Sequence, residues 1–309
     1  MQGIRTMSQM NMNRGLVLLI LLSVKILAMH GATDSLEFRL KEYVSKSNPR
    51  IGVAVICGDL TYGVNEKDSF PMLSVYKLPI ALALADARAQ AGGSLNYEVE
   101  VDGTSLERDT WSPMLEKYGE VERALIPVPE LLAYSLQMSD NNASDILLRE
   151  VGGPRKVAQW LNEKGIHGVA VECSEADMHE DPARCYDNFS TPLDMARLIE
   201  TLLLAPQDEP VALIRNLMEN CSTGRNRLSA PLLPLGYTVG HKTGTGFNLP
   251  DGRQMAINDV GYVKRPDGSH YVIAVFVADS YEDDEATEKI IADISAIVQS
   301  GLDAQRQNH

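Results

Sequence analysis

The chain has 309 residues, of which 44% are hydrophobic, and its formal net charge is −14 at pH 7. A chain of this length can bury a large core, as one compound domain or as two. The acidic charge disfavours nucleic acid and anionic membranes as partners, because both bind basic patches.

The first 32 residues predict a cleaved signal peptide. Arg5 and Arg14 give a basic start, an apolar run follows at 15–24, and the small residues Gly31 and Ala32 come after it. The run is too short to span a bilayer, although an uncleaved anchor is the alternative. We therefore expect a periplasmic or secreted protein with no membrane association after cleavage.

Strand patterns occur at both ends of the chain, and helical patterns lie between them. At the beginning, the sequence predicts a helix at 36–45 and strands at 51–57 and 60–64. The pattern is mainly helical from Pro71 to Glu219. It then predicts strands at 237–240, 256–263 and 271–277, and a closing helix at 285–302.

This order predicts an α+β fold in which an antiparallel sheet is flanked by terminal helices and an all-α domain is inserted. The sheet domain would comprise residues 33–68 and 220–309, and the inserted domain residues 69–219. A cleft between the two parts is the natural place for a functional site.

The four cysteines predict no metal site. Export would allow disulfides, and Cys173 and Cys185 bracket one loop, so they are the preferred pair. Cys57 lies in a predicted strand and is expected to be a buried thiol. Neither zinc spacing nor a paired histidine motif occurs in the sequence, which argues against a metal-dependent hydrolase.

Ser74 and Lys77 form an S-x-x-K motif at the start of an apolar helical run. Residues i and i+3 share one face of a helix, so the lysine amine can approach the serine hydroxyl and activate it as a nucleophile. The pair alone is weak evidence, because such pairs also occur by chance. If the helix begins just before Ser74, Pro79 is expected to distort it locally, although the run is still predicted to be a helix.

Two later motifs strengthen the evidence that the S-x-x-K motif is functional. Ser139-Asp140-Asn141 lies between two helical stretches, and Lys242-Thr243-Gly244 ends a short strand. S-x-x-K, S-D-N and K-T-G in this order are typical of class A β-lactamases and penicillin-binding proteins. The chain resembles class A serine β-lactamases over nearly its whole mature length. This resemblance implies the fold shared by serine β-lactamases and penicillin-binding transpeptidases.

The resemblance also implies roles for the motif residues. Ser74 would be the acylated nucleophile, Lys77 its buried partner, and Ser139 the relay of a proton to the departing lactam nitrogen. Asn141 would hold the substrate's side-chain amide and orient Lys77, and Lys242 would support Ser139. Asp140 is expected to be structural and to bond backbone groups in its turn.

A β-lactamase needs a base that activates the deacylating water, and a penicillin-binding protein does not. The candidate is Glu175, with an ordinary solvated loop acid as the alternative. Most class A enzymes carry E-x-x-L-N here, whereas this chain has Glu175-Ala176-Asp177-Met178-His179. This variant resembles the PER-like branch of class A. His179 would take the place of the water-positioning asparagine, or it would only brace the loop.

Four further residues are predicted to bind the substrate. Trp111 precedes Ser112-Pro113, where the family places an aromatic ring at the mouth of the cleft; burial in the core is the alternative. Arg227 would bind the substrate carboxylate in place of an arginine that many relatives carry before the Asn258-Asp259 pair, or it would be solvated. Thr243 and Thr245 would donate hydroxyls to the same group, being on one face of their strand.

The backbone N–H groups of Ser74 and Thr245 would form the oxyanion hole. The resulting prediction is a monomeric enzyme, without metal or organic cofactor, that hydrolyses small β-lactam antibiotics through an acyl-enzyme. The alternatives are a D-alanyl-D-alanine peptidase and a β-lactam sensor that stalls after acylation. The sequence leaves open which residue deprotonates Ser74, how penicillins, cephalosporins and carbapenems rank, and whether clavulanate inhibits.

An insertion after K-T-G predicts the substrate range. Residues 247–254 make a longer turn than is usual in class A, which should move the cleft wall outward and admit bulky oxyimino side chains. The altered loop at Glu175–His179 would form the opposite wall. We therefore expect an extended-spectrum cephalosporinase, although the insertion could simply lengthen a solvent-exposed hairpin.

Overall fold

The computed structural model describes residues 35–204 and 209–307, so the predicted signal peptide lies outside the described residues. Within these two stretches, no helix is long and apolar enough to cross a membrane.

A five-stranded antiparallel sheet draws its strands from both ends of the chain, as predicted. The strands are β1 (Arg50–Cys57), β2 (Leu60–Val64), β7 (Thr238–Thr245), β8 (Gln254–Lys264) and β9 (His270–Ser280). Their spatial order is β2-β1-β9-β8-β7. Strand β1 pairs with β9, which joins the beginning of the described chain to its end. Strand β7 forms one edge of the sheet, and the K-T-G motif lies on it.

Both faces of this sheet are covered, and its central strands are therefore apolar on both sides. Alternate residues of β9 point to opposite faces: Phe276 packs in one core cluster and Val275 in the other. Helices α1 (Leu36–Ser45) and α10 (Asp284–Gln307) pack on the second face through Leu40 and Val298, among others.

The remaining helices come from the middle of the chain. They are α2 (Lys77–Gln90), α3 (Leu115–Tyr118), α4 (Val128–Gln137), α5 (Asn141–Glu150), α6 (Pro154–Glu163), α7 (Glu175–Glu180), α8 (Pro192–Leu198) and α9 (Glu209–Glu219). Every residue of α2 from Lys77 to Ala85 is buried, and this helix packs against α4, α5, α6 and α9. It therefore fixes the position of the S-x-x-K motif from within the core.

This middle region is mainly helical, as predicted, and it also contains two short ladders that the sequence did not indicate. Strand β3 (Phe70–Pro71) pairs with β6 (Phe189–Ser190), and β4 (Glu98–Val101) pairs with β5 (Ala124–Pro127). Each ladder is only two strands wide and two or four residues long, so the alternation in the sequence is too brief to stand out. The boundaries of the two domains remain a prediction.

The condition under which Pro79 would distort its helix, a helix that begins just before Ser74, is not met. A 3₁₀ turn spans Leu73–Tyr76, and α2 begins only at Lys77, so Pro79 is the third residue of the helix. Amides in the first helical turn have no intrahelical acceptor, and a proline there removes no hydrogen bond.

The predictions for the cysteines are also corrected. Cys173 and Cys185 are free thiols rather than a bridged pair, and Cys173 Sγ lies 3.4 Å from the carbonyl of Arg184. Burial raises the pKa of Cys173 to about 12 and that of Cys185 to about 11, which disfavours the thiolates that oxidation requires. Cys57 ends β1 at the margin of the sheet and is only half-buried.

Candidate active site

One cavity of about 620 Å³ brings together residues from all three motifs. Of the predicted site residues, its lining includes Ser74, Trp111, Ser139, Asn141, Glu175, His179, Thr243 and Thr245. Two further groups of lining residues form its sides. We call Met178, His179, Pro182 and Cys185 the loop wall, and Gly246 and Phe247 the hairpin wall.

Ser74 is held at the junction of the sheet and α2. The preceding residue, Leu73, has φ +48°, a strained conformation for a residue other than glycine. Asn258 on β8 donates hydrogen bonds to the carbonyls of Pro71 and Met72, at 2.9 and 3.2 Å. A Cβ atom on Gly244 would lie 2.4 Å from Met72 O, so the glycine of K-T-G allows the strand to approach this turn.

Lys77 is the centre of the buried polar network. Its Nζ atom donates to Ser139 O at 2.8 Å and to Asn141 Oδ1 at 2.6 Å. The same atom lies 3.1 Å from Glu175 Oε1, and the lysine side chain is completely buried. One ammonium group therefore joins the S-x-x-K motif, the S-D-N motif and the loop of Glu175.

Ser139 is aimed at the cavity from a strained backbone. Its φ is +59°, and its hydroxyl accepts a hydrogen bond from Lys242 Nζ at 3.0 Å. Lys242 also donates to Thr243 O at 2.9 Å. Burial, together with the charge of Lys77, lowers the pKa of Lys242 to about 7. A lysine of this kind exchanges a proton near neutral pH more readily than an exposed one.

Asp140 is structural, which confirms the prediction. It caps the N-terminus of α5 by accepting from Ala143 N, and it also accepts from Met114 N and from the hydroxyl of Ser112. These bonds fix the turn that presents Ser139 and Asn141.

Glu175 is the first residue of α7, where its loop is closely tied to the helical core. Ser174 and Asp177 form a capping box at the start of α7. Asp145 of α5 accepts from the backbone N–H groups of Glu175 and Ala176, at 2.8 and 2.9 Å. Burial raises the pKa of Asp145 to about 6, and the charge of Glu175 contributes to this. The side chain of Glu175 is 14% exposed, and the residue lines the cavity.

Two other predicted residues lie at the mouth of the cavity. Trp111 is 64% exposed, and its Nε1 donates to Met138 O at 2.9 Å, so it is not a core residue. His179 is exposed on the loop wall. Asn141, deeper in the cavity, donates its amide to Thr110 Oγ1 at 2.8 Å.

Arg227 differs from its predicted position. The structure places it behind β7 and not on the cavity lining, with only 4% of the residue exposed. Its Nε donates to Glu288 at 3.0 Å, its Nη1 to the carbonyls of Gly244 and Asn258, and its Nη2 to Thr245 Oγ1 at 2.7 Å. Because these bonds occupy the guanidinium, Arg227 reaches the cavity through the hydroxyl of Thr245 rather than directly.

The edge of the sheet presents further donors. Thr243 Oγ1 and Thr223 Oγ1 are 2.6 Å apart, and both residues line the cavity. Gly246 N–H bonds to Ala256 O within the sheet, at 2.9 Å. Successive N–H groups of an antiparallel strand point to opposite sides, so the N–H of Thr245 points off the open edge. This is the orientation that an oxyanion hole requires.

Several site residues were not found from the sequence. Asp145 is four residues after Asn141 and so on the same face of α5, a spacing that could have linked it to the motif. Thr110 and Thr223 lie in loops without a recognisable pattern, and Cys185 lies in a 3₁₀ turn at Pro182–Tyr186, where the sequence suggested only a disulfide partner. Among the described residues, no group of three or more His, Cys, Asp or Glu side chains could hold a metal ion.

Comparisons with a family model, with related sequences and with solved structures all indicate the same family. The model of the β-lactamase enzyme family matches residues 35–301. β-Lactamase VEB-1 of Pseudomonas aeruginosa is 34% identical, over 91% of this chain and 95% of its own. Extended-spectrum β-lactamase PER-1 of the same species is 33% identical, over 90% of each chain. The crystal structure of TLA-1 extended-spectrum β-lactamase has a TM-score of 0.83 at 34% identity, and the match covers 87% of this chain and 99% of that one.

Proposed function

This chain belongs to the class A serine β-lactamases, in their PER- and VEB-like branch, and we propose that it hydrolyses β-lactams through an acyl-enzyme on Ser74 that a Glu175-activated water releases. The observation that carries this mechanism is the position of Glu175. Its carboxylate lines the same cavity as Ser74 and lies 3.1 Å from Lys77.

Acylation would begin with attack of Ser74 Oγ on the lactam carbonyl, while a neighbouring base takes the hydroxyl proton. That base would be Lys77 or Glu175, and a proton could pass between them because Lys77 Nζ and Glu175 Oε1 lie 3.1 Å apart. The N–H groups of Ser74 and Thr245 would stabilise the oxyanion. As the C–N bond breaks, Ser139 would protonate the lactam nitrogen. Lys242, at 3.0 Å from the Ser139 hydroxyl, would restore that proton.

Deacylation would use Glu175 as a general base. It would remove a proton from water, the resulting hydroxide would attack the ester of Ser74, and the alcohol of Ser74 would leave with a proton. His179 is exposed at the cavity mouth, where it can bond this water or the substrate. A penicillin-binding protein or a stalling sensor has no need of a carboxylate in this position.

The remaining cavity residues would hold the antibiotic. Thr243 and Thr245 would bond its carboxylate, with Arg227 orienting the Thr245 hydroxyl and adding positive potential. Asn141 would bond the amide of the acyl side chain, and Trp111 would cover the ring system.

We also propose that the enzyme is an extended-spectrum cephalosporinase. Phe247, within the insertion, lines the cavity on the hairpin wall, and it is 42% exposed. The insertion therefore shapes the cavity rather than only lengthening a hairpin. The related PER-1 and TLA-1 enzymes are described as extended-spectrum enzymes, which points in the same direction. We further propose that the protein is exported through the signal at 1–32 and that it acts as a monomer.

The test is steady-state turnover of a chromogenic cephalosporin by the purified protein. Repeated turnover supports the mechanism. A single stoichiometric burst followed by a stable adduct would instead indicate a sensor or a penicillin-binding protein.

A further inference from the structure

Two buried polar atoms beneath the site lack ordinary partners. Tyr76 is completely buried, and its hydroxyl makes no hydrogen bond of normal geometry within the part of the chain that the structure describes. Glu175 Oε1 is in the same condition there: it lies 3.1 Å from Lys77 Nζ but accepts no hydrogen bond of normal geometry. Buried polar groups without a bond are costly, so both atoms call for a physical reason.

The two groups interact with each other. Tyr76 directly precedes Lys77, whose Nζ lies 3.1 Å from Glu175 Oε1. Burial, next the charge of Glu175 and, to a smaller extent, a hydrogen bond toward that carboxylate raise the pKa of Tyr76 well above its ordinary value. The phenol therefore keeps its proton at neutral pH and can only donate toward a carboxylate. The other titratable groups packed around this pair are Lys77, Asp145, Cys173, Cys185 and Lys242.

A count of the donors on Lys77 shows when such a bond would form. An ammonium has three N–H donors, and two of them bond Ser139 O and Asn141 Oδ1. The third makes no bond of normal geometry to Glu175 Oε1, which lies 3.1 Å from Nζ, so it is the donor that can turn toward Ser74. Glu175 then depends on a donor other than Lys77.

On the basis of the proposed function, we infer that Tyr76 is a positioning residue for the general base. Its phenol donates a hydrogen bond to Glu175 when the third N–H of Lys77 turns toward Ser74. The base then stays ionised and oriented while Lys77 serves Ser74. Tyr76 acts through Glu175 and does not touch the substrate, since it is not part of the cavity lining.

The experiment compares Tyr76→Phe with Tyr271→Phe. Tyr271 is the matched control, because its hydroxyl is also buried without a partner among the described residues, but it packs in the other core cluster. Each variant is assayed for kcat against pH with a chromogenic cephalosporin, and single-turnover kinetics separate acylation from deacylation.

We expect Tyr76→Phe to slow deacylation about tenfold and to leave acylation nearly unchanged, which is the scale of one lost charge-assisted bond. The acidic limb of its kcat profile should move up by about one pH unit, because loss of a donor disfavours the ionised base. Tyr271→Phe should keep the wild-type profile. A Tyr76→Phe enzyme with wild-type rates and an unmoved acidic limb would overturn the inference, as would an equal shift in Tyr271→Phe.

The variant Glu175→Gln separates this inference from the proposed function. If Glu175→Gln accumulates acyl-enzyme and adding Tyr76→Phe slows deacylation no further, the two residues act together. An additional tenfold loss in the double variant would mean that Tyr76 acts elsewhere, and the inference fails. If Glu175→Gln alone turns over like wild type, it is the proposed mechanism that fails.

Discussion

The motif residues Ser74, Lys77, Ser139 and Lys242, which we call the floor of the site, are held by different contacts from those of the loop wall and the hairpin wall. On the floor, Lys77 and Lys242 are fully buried, and each is bonded to the S-D-N segment. At the rim, Trp111 and Phe247 are 64% and 42% exposed. The groups assigned to bond making and breaking are therefore fixed by the protein itself, whereas the rim is left free to meet a substrate. Chemistry and substrate range should respond to different substitutions.

The largest effect is expected on the floor, at the nucleophile. Ser74→Ala should abolish covalent labelling by penicillin, because it removes the hydroxyl assigned as the nucleophile, and it should retain the fold, because only one hydroxyl is lost. Intact-mass spectrometry after incubation with penicillin measures the adduct, and circular dichroism checks the fold. Full labelling of a folded Ser74→Ala protein would show that the S-x-x-K assignment is mistaken.

The next effect concerns the base at the boundary between floor and loop wall. Glu175→Ala should still acylate but should accumulate the acyl-enzyme, with turnover reduced about 10²–10⁴-fold, as for loss of a general base. A stable mass adduct and the steady-state rate test this. Glu180→Ala is the control, because it removes an exposed carboxylate of the same helix that takes no part in the capping box, and it should keep wild-type turnover. Wild-type turnover in Glu175→Ala would exclude it as the base.

A third substitution tests the buried pair of His241 and Asp259, which lies next to Lys242 in the sheet. Burial alone would lower the pKa of His241, but the charge and hydrogen bond of Asp259, 2.9 Å away, raise it to about 10. The other titratable neighbours are Cys221 and Lys242. Replacing one partner of a buried pair costs about 3 kcal/mol, so His241→Asn should lower the free energy of unfolding by about that amount.

The sign of the pH dependence follows from the raised pKa. The folded protein holds the His241 proton more tightly than the unfolded chain, so the stabilisation is complete below pH 6.5 and is lost as pH rises through about 10. Denaturant unfolding of both proteins between pH 6 and 10 should show their difference shrinking. His270→Asn, at a residue whose side chain is 42% exposed, should change stability little. A difference that grows with pH would contradict the assignment.

The same contrast explains what the sequence could predict. The floor could be predicted because its residues follow three short motifs, and the sheet could be predicted because strands such as β9 have long apolar runs. The position of Arg227 could not be predicted from the sequence. Nothing in Thr223–Arg227 indicates that Glu288, 61 residues away, would pair with this arginine behind β7. Likewise, the loop wall depends on Asp145, whose two bonds to the start of α7 span 30 and 31 residues of sequence.

The smallest effect is expected at the hairpin wall, and it should be selective. Phe247 offers an exposed aromatic face to the cavity, so Phe247→Ala should reduce kcat/KM for cefotaxime or ceftazidime about fivefold to tenfold, the scale of one lost aromatic contact. A small cephalosporin should be affected less than twofold, since it would not reach this wall. Shortening Phe247–Arg253 to a two-residue turn should act in the same direction, but it also removes the pairing of Arg253 with Asp279. The single substitution is therefore the cleaner test. Because the floor is untouched in Phe247→Ala, an equal loss for both substrates would mean that the hairpin supports the chemistry and does not select the substrate.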